Sequence, residues 1–135
     1  MIVAPHQKSG NVDLIYPDEV FAIQGAVFEV YKVIGAGFLE GVYQGALELE
    51  LASRGIPFVA QKPIDVFYKG TRLVQNYRAD IVCYDKIIIE VKAVKQLLPE
   101  HHAQIMNYLK ASKMRLGLLI NFCGYPGVDI KRVAN

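Results

Sequence analysis

The sequence predicts a single α/β domain, and three observations carry that prediction. Apolar residues recur at helical spacing from Val20 to Leu51, then switch to alternation after Gly55. The segment Ile87 to Ala93 is almost continuously apolar, the pattern of a strand buried on both faces at a sheet centre. With 135 residues, 53% of them hydrophobic, folding buries roughly two-thirds of the unfolded chain's surface, enough for one core without disulfide or metal staples.

Residues 1–16 mix Pro5, Ser9, Gly10 and Asn11 with few apolar side chains and are expected to form an N-terminal arm. Residues 17–135 are expected to make the single domain. Asp18 is the expected N-cap of a first helix, which carries Val20, Phe21, Val27, Phe28, Tyr31 and Ile34 to about Val33. Gly35-Ala36-Gly37 breaks it. A second helix is expected from Leu39 to Arg54, with Leu39, Val42, Tyr43, Ala46, Leu47 and Leu51 on its apolar side; Gly55 and Pro57 stop it. Ile64, Val66 and Tyr68 alternate with polar and aromatic neighbours, Gly70 turns the chain, and Leu73 to Tyr84 returns antiparallel. A short turn near Asp85 leads to the strand Ile87 to Ala93. Pro99 opens a third helix to about Lys113; Leu116 to Phe122 reads as a buried strand and Val128 to Val133 as a short edge strand.

Several function classes are disfavoured. The apolar runs fall well short of the ~20 residues of a membrane helix, and Met1 to Gly10 lacks a signal-peptide core, so a cytoplasmic location and no membrane partner are expected. Cys83 and Cys123 are far apart and outside any CxxC pair, which disfavours a zinc site. A net charge of +2 permits an anionic partner without arguing for one. His101 and His102 open the third helix, where paired exposed histidines need no ligand role.

Charge within the expected central strand is more informative. Glu90 and Lys92 are two apart and project with Ile88 from one face. Asp80 lies on the preceding strand, and a turn centred on Asp85 puts it opposite Glu90 or one position away. Two converging carboxylates repel each other unless a cation lies between them, and hard oxygen ligands suit Mg²⁺ or Mn²⁺. Lys92 beside them can position a water or stabilise charge on a phosphate. An internal salt bridge of Lys92 with Glu90 or Asp80 would account for the same three residues without any ligand.

Asp80 followed by Glu90-Val91-Lys92, on consecutive strands between helices, resembles the PD-(D/E)XK nuclease superfamily. Gly37-Phe38-Leu39-Glu40-Gly41-Val42-Tyr43 is similar to the signature of the bacterial and archaeal GxxExxY proteins within it. Tyr68-Lys69-Gly70, Tyr77-Arg78-Ala79-Asp80, Glu90-Val91-Lys92-Ala93, Gln104 to Tyr108-Leu109, and Gly117 to Phe122 follow in the same order, so the resemblance runs from Asp18 to Phe122. Ala36 departs from the usual proline or serine between the glycines.

The resemblance implies a restriction-endonuclease-like α/β core, a mixed central sheet flanked by helices, and Mg²⁺- or Mn²⁺-dependent hydrolysis of DNA or RNA. It implies Asp80, Glu90, Glu40 and the Val91 carbonyl as metal ligands and Lys92 as the catalytic lysine. Gln104 and Tyr108 are similar to the QxxxY motif of RecB-like members, bordering the site and the nucleic acid. Glu40 has a second reading as a helix-dipole partner, and Tyr43 and Tyr108 have one as core residues. Arg78 and Lys95, with Lys110, Lys113 and Arg115, are candidate phosphate contacts. No zinc finger or helix-turn-helix supplies base readout. A catalytically silent binding module is the alternative function, and a homodimer through the apolar first helix is expected from the resemblance.

Overall fold

The computed structural model describes residues 15–135; most of the expected N-terminal arm lies outside them. The elements are α1 (Pro17–Ile34), α2 (Glu40–Ser53), β1 (Phe58–Tyr68), β2 (Thr71–Cys83), β3 (Ile87–Lys92), α3 (Pro99–Ser112), β4 (Leu116–Asn121) and β5 (Asp129–Ala134). The five strands form one mixed sheet in the order β1-β2-β3-β4-β5. Only β3 and β4 are parallel, and α3 makes the crossover between them.

The sheet has helices on both faces, as the apolar central strand requires. Ile87, Ile89 and Val91 of β3 join Val20, Ile23, Val27 and Val30 of α1 and Tyr43, Leu47 and Leu51 of α2 in one core. Ile88 projects the other way, with Val82 and Leu119, against Ile105, Tyr108 and Leu109 of α3. Every residue of β3 except Lys92 is buried, and Lys92 is half-buried.

Several local expectations need correction. Tyr16, with φ 51° and no side-chain capping bond, precedes α1, and Asp18 sits in its first turn beside Glu19. Phe21 and Phe28, expected inside, are exposed; α1 is apolar around much of its circumference and packing selects the Ile23 and Val30 side. On α2, Leu39 and Val42 are exposed for the same reason. Strand β1 begins at Phe58 rather than Ile64, with Pro63 accommodated because β1 is an edge strand. Tyr68, expected on the buried side, lies exposed near the tip of the hairpin.

Lys69 (φ 49°) and Gly70 (φ 82°) form the two-residue turn between paired Tyr68 and Thr71, the left-handed geometry tight hairpins prefer. Farther down the hairpin, Gln61 holds φ 53° opposite Asp80. Here the strands exchange faces: Ala79 and Ile81, two apart and expected to share a face, pack into different cores.

Packing between α3 and the sheet leaves no room at Gly117. A Cβ there would lie 2.7 Å from Cδ1 of buried Ile105. Gly117→Ala is therefore expected to lower unfolding free energy by about 1–3 kcal/mol through overpacking, read by urea titration. An unchanged midpoint would contradict this packing.

Candidate active site

Strands β2 and β3 pair through Ile81 with Ile89, Val82 with Ile88 and Cys83 with Ile87, so the turn is centred on Asp85 and the register carries Asp80 opposite Glu90. The ladder stops one pair short of them. In place of backbone bonds, each carboxylate crosses to the other strand: Asp80 N–H donates to Glu90 Oε2 at 2.9 Å, and Val91 N–H donates to Asp80 Oδ2 at 2.8 Å. These reciprocal bonds hold the acids across the gap where β2 leaves β3. Since a strand residue directs its N–H and C=O to the same edge, the Val91 carbonyl faces that gap too.

The second oxygens, Asp80 Oδ1 and Glu90 Oε1, take no protein donor among the described residues. No buried side-chain oxygen or nitrogen there lacks a partner, so these two are reached from solvent. Glu90 is only 3% exposed, and burial, then the Asp80 charge, push its carboxyl up to about 8. Burial likewise raises Asp80, against the bond from Val91, and the Glu40 charge raises both acids.

Lys92 stands on the same face of β3 and favours ionisation of both acids. It forms no ion pair with either: the described ion pairs join Arg54 to Glu50, Arg72 to Asp65, Lys86 to Glu19 and Lys131 to Asp129. Instead, Lys92 Nζ donates to Gln104 Oε1 at 3.3 Å. An internal salt bridge therefore does not account for the three charges. One turn along α3, Tyr108 is buried in the core and lies close enough to feel both acids, which with burial push its hydroxyl up to about 12. Its ring packs on Tyr77 of β2 at 4.9 Å. Core residue and site neighbour are thus one position.

Other candidates sit farther out. Arg78 donates to the Gln61 carbonyl at 3.0 Å and is exposed. Lys95 lines a cavity with Asn121, Tyr125 and Asp129, beyond the end of β3. Lys113 and Arg115 lie where α3 turns into β4; because Leu116 pairs with Ile87, that is the end of β3 away from Lys92. His101 accepts the Leu98 N–H through Nδ1, a local capping bond.

Two positioning residues escaped the sequence reading. Gln44 donates to the Asp80 carbonyl at 3.1 Å; its signal was its place four residues after Glu40, on the same face of α2. Buried Asn121 bonds Val94 in both directions and so ties down the chain just after Lys92; a lone amide in an apolar strand was its signal. Tyr43 is wholly buried, stacks on Phe122 at 4.6 Å, receives the Phe38 N–H and donates to the Gly35 carbonyl. It thereby fixes the loop that delivers Glu40 to the start of α2.

The family model of the PD-(D/E)XK nuclease superfamily matches residues 17–133. The chain belongs to that superfamily. A solved structure described as "Crystal structure of SSO0001" is similar at 18% identity with a TM-score of 0.57, covering 70% of this chain and 49% of the other; the likeness is one of fold. The chain thus spans about half the length of that relative. No curated protein matches the sequence.

Nucleases of the superfamily generally use divalent metal ions. The donor chemistry fits one: two carboxyl groups held face to face, one of them raised by burial and by the other's charge, and each with one oxygen free of protein donors among the described residues, are relieved by a hard cation. Among the described residues no three His, Cys, Asp or Glu side chains are grouped closely enough to hold an ion. Glu40 therefore acts on the pair through its charge at this geometry.

An acid raised in the folded state stabilises the fold fully below its unfolded pKa, and that contribution is lost as pH rises through the folded value. For Glu90 the window runs from about 4.5 to about 8. The thermal midpoint of metal-free protein is expected to rise on acidification from pH 8 to pH 5, and Glu90→Gln to flatten the rise. Asp80→Asn, which keeps an acceptor for the Val91 N–H, should be at least as stable as wild type at pH 8. A wild-type midpoint that falls on acidification, with the same slope in Glu90→Gln, would contradict the reading.

Proposed function

We propose that this chain is a metal-dependent nuclease that hydrolyses phosphodiester bonds of DNA or RNA, and that it belongs with the GxxExxY branch. The carrying observation is the solvent-reached carboxylate pair, Asp80 and Glu90, with the Lys92 ammonium on the same strand face and held by Gln104. Asp80, Glu90 and the Val91 carbonyl would hold Mg²⁺ or Mn²⁺, with Glu40 completing the set through a water. Such an ion supplies Lewis acidity at the phosphate and makes a water more acidic.

The chain's own groups do the rest. Lys92 orients the attacking water and stabilises charge developing on the phosphate. Gln104 fixes the ammonium without neutralising it, because an amide oxygen accepts its hydrogen bond without the charge of a carboxylate. Tyr108 walls the site and excludes water from one side. Arg78 and Lys95 engage flanking phosphates. Self-association through α1 belongs to the same proposal, supported by exposed Phe21 and Phe28 two turns apart on that helix.

The test is cleavage of labelled single-stranded DNA, duplex DNA and RNA with Mg²⁺, Mn²⁺ or EDTA. Wild type should cleave at least one substrate only with metal, and Lys92→Ala should lose about 10²-fold or more. Equal rates for the two proteins, or no cleavage with either metal, would favour a silent nucleic-acid-binding or protein-binding module instead.

A further inference from the structure

Above Ile64 and Tyr77, the last facing pair packed into a core, β1 and β2 continue as a two-stranded ribbon without a covering helix. Its apolar side chains face solvent: Phe67, Tyr68 and Leu73 are exposed, and Val74 is fully so. A bulge interrupts the ribbon: the register shifts between Asp65 and Phe67 so that Leu73, Val74 and Gln75 stand against Val66 alone. Counted with its root, residues 62 to 78, the hairpin carries Lys62 and Arg78 below the Ile64 and Tyr77 pair and Lys69 and Arg72 above it against one carboxylate, Asp65, so its charge of +3 exceeds the +2 of the whole chain. Seven steps along β1 from Gln61, which faces Asp80, to Tyr68 span about 23 Å.

We propose that this ribbon docks in the major groove of double-stranded DNA, which makes B-form duplex the substrate class; its placement beside the reacting phosphate rests on the nuclease reading above. A two-stranded ribbon fits a major groove of about 12 Å, and its length carries the tip across that groove from a phosphate held at Asp80. The cations match the flanking phosphates, while Phe67, Leu73 and Val74 offer apolar contacts to base edges and thymine methyls. The deep, narrow major groove of duplex RNA excludes such a ribbon. With adjacent Phe67 and Tyr68 both exposed, the ribbon is bare on both faces and offers no walled stacking groove of the kind single strands use. A second copy is disfavoured because two hairpins of charge +3 repel. Tyr77, at the root, is clamped on Tyr108 beside the carboxylates, so the ribbon is anchored to the site it would serve.

Binding is measured by fluorescence anisotropy in EDTA on the Lys92→Ala background, with duplex DNA, its single strand and duplex RNA of equal length. Duplex DNA should bind tightest. Lys69→Ala/Arg72→Ala should reduce the slope of log affinity against log salt by about 1.8, two phosphate contacts' worth. Phe67→Ser/Val74→Ser should weaken duplex binding about tenfold with an unchanged thermal midpoint, since both side chains are exposed. Unchanged duplex affinity in both double variants, tighter binding of single strands or RNA, or a dimer that these substitutions convert to monomer would each overturn the proposal. Because the readout needs no turnover, ribbon-dependent duplex binding stands even if cleavage fails. Ribbon-independent binding sinks the ribbon and leaves metal-dependent cleavage untouched.

Discussion

Two carboxylates of like sign face each other across the point where β2 leaves β3, and each is held there by a backbone N–H of the opposite strand. A regular antiparallel pair would have used those N–H groups in its ladder and turned the acids away from the gap. Instead, the sheet exchanges backbone bonds for side-chain bonds at Asp80 and Glu90, retaining hydrogen bonds while concentrating negative charge. Burial makes that concentration costly, which is why Glu90 is pushed up to about 8. Lys92 does not relieve it, being bonded to Gln104 rather than to either acid.

Much of the surrounding structure keeps that gap from closing. The left-handed Gln61 opposite Asp80 allows β1 and β2 to exchange faces together as β2 departs. Gln44 takes the Asp80 carbonyl, and Asn121 pins Val94 so that Lys92 ends a defined strand. On the other side of the sheet, Tyr43 stacked on Phe122 joins α2 to the end of β4 and bonds the Gly35 to Phe38 loop, so the approach of Glu40 is set from the core. These contacts span four elements, and the site is correspondingly a property of the whole domain.

The sequence made the chemistry more legible than the packing. A turn at Asp85 and the parity of Glu90 and Lys92 narrowed Asp80 to a place opposite Glu90 or one position away, because strand periodicity leaves few registers; the pairing of Ile81 with Ile89 chose between them. Which side of α1 faces the sheet was ambiguous, since Phe21, Ile23, Val27, Phe28 and Val30 offer more than one apolar stripe and only the partner surface chooses. The early start of β1 was hidden by Pro63, and the face exchange at Gln61 by the absence of glycine, the residue that ordinarily announces positive φ. The end of the β2–β3 ladder had no signal in local pattern either: it results from two acids competing for backbone donors, a nonlocal outcome.

The central claim is that the Asp80 and Glu90 pair is built for a divalent cation, and proton release on metal binding tests it most directly. Calorimetric titration of Mn²⁺ at pH 7 in buffers of different ionisation enthalpy counts the protons released. With Glu90 raised to about 8, the account predicts saturable binding that releases about one proton per ion, with binding lost in Asp80→Asn. Saturable binding without proton release, or binding retained in Asp80→Asn, would contradict it.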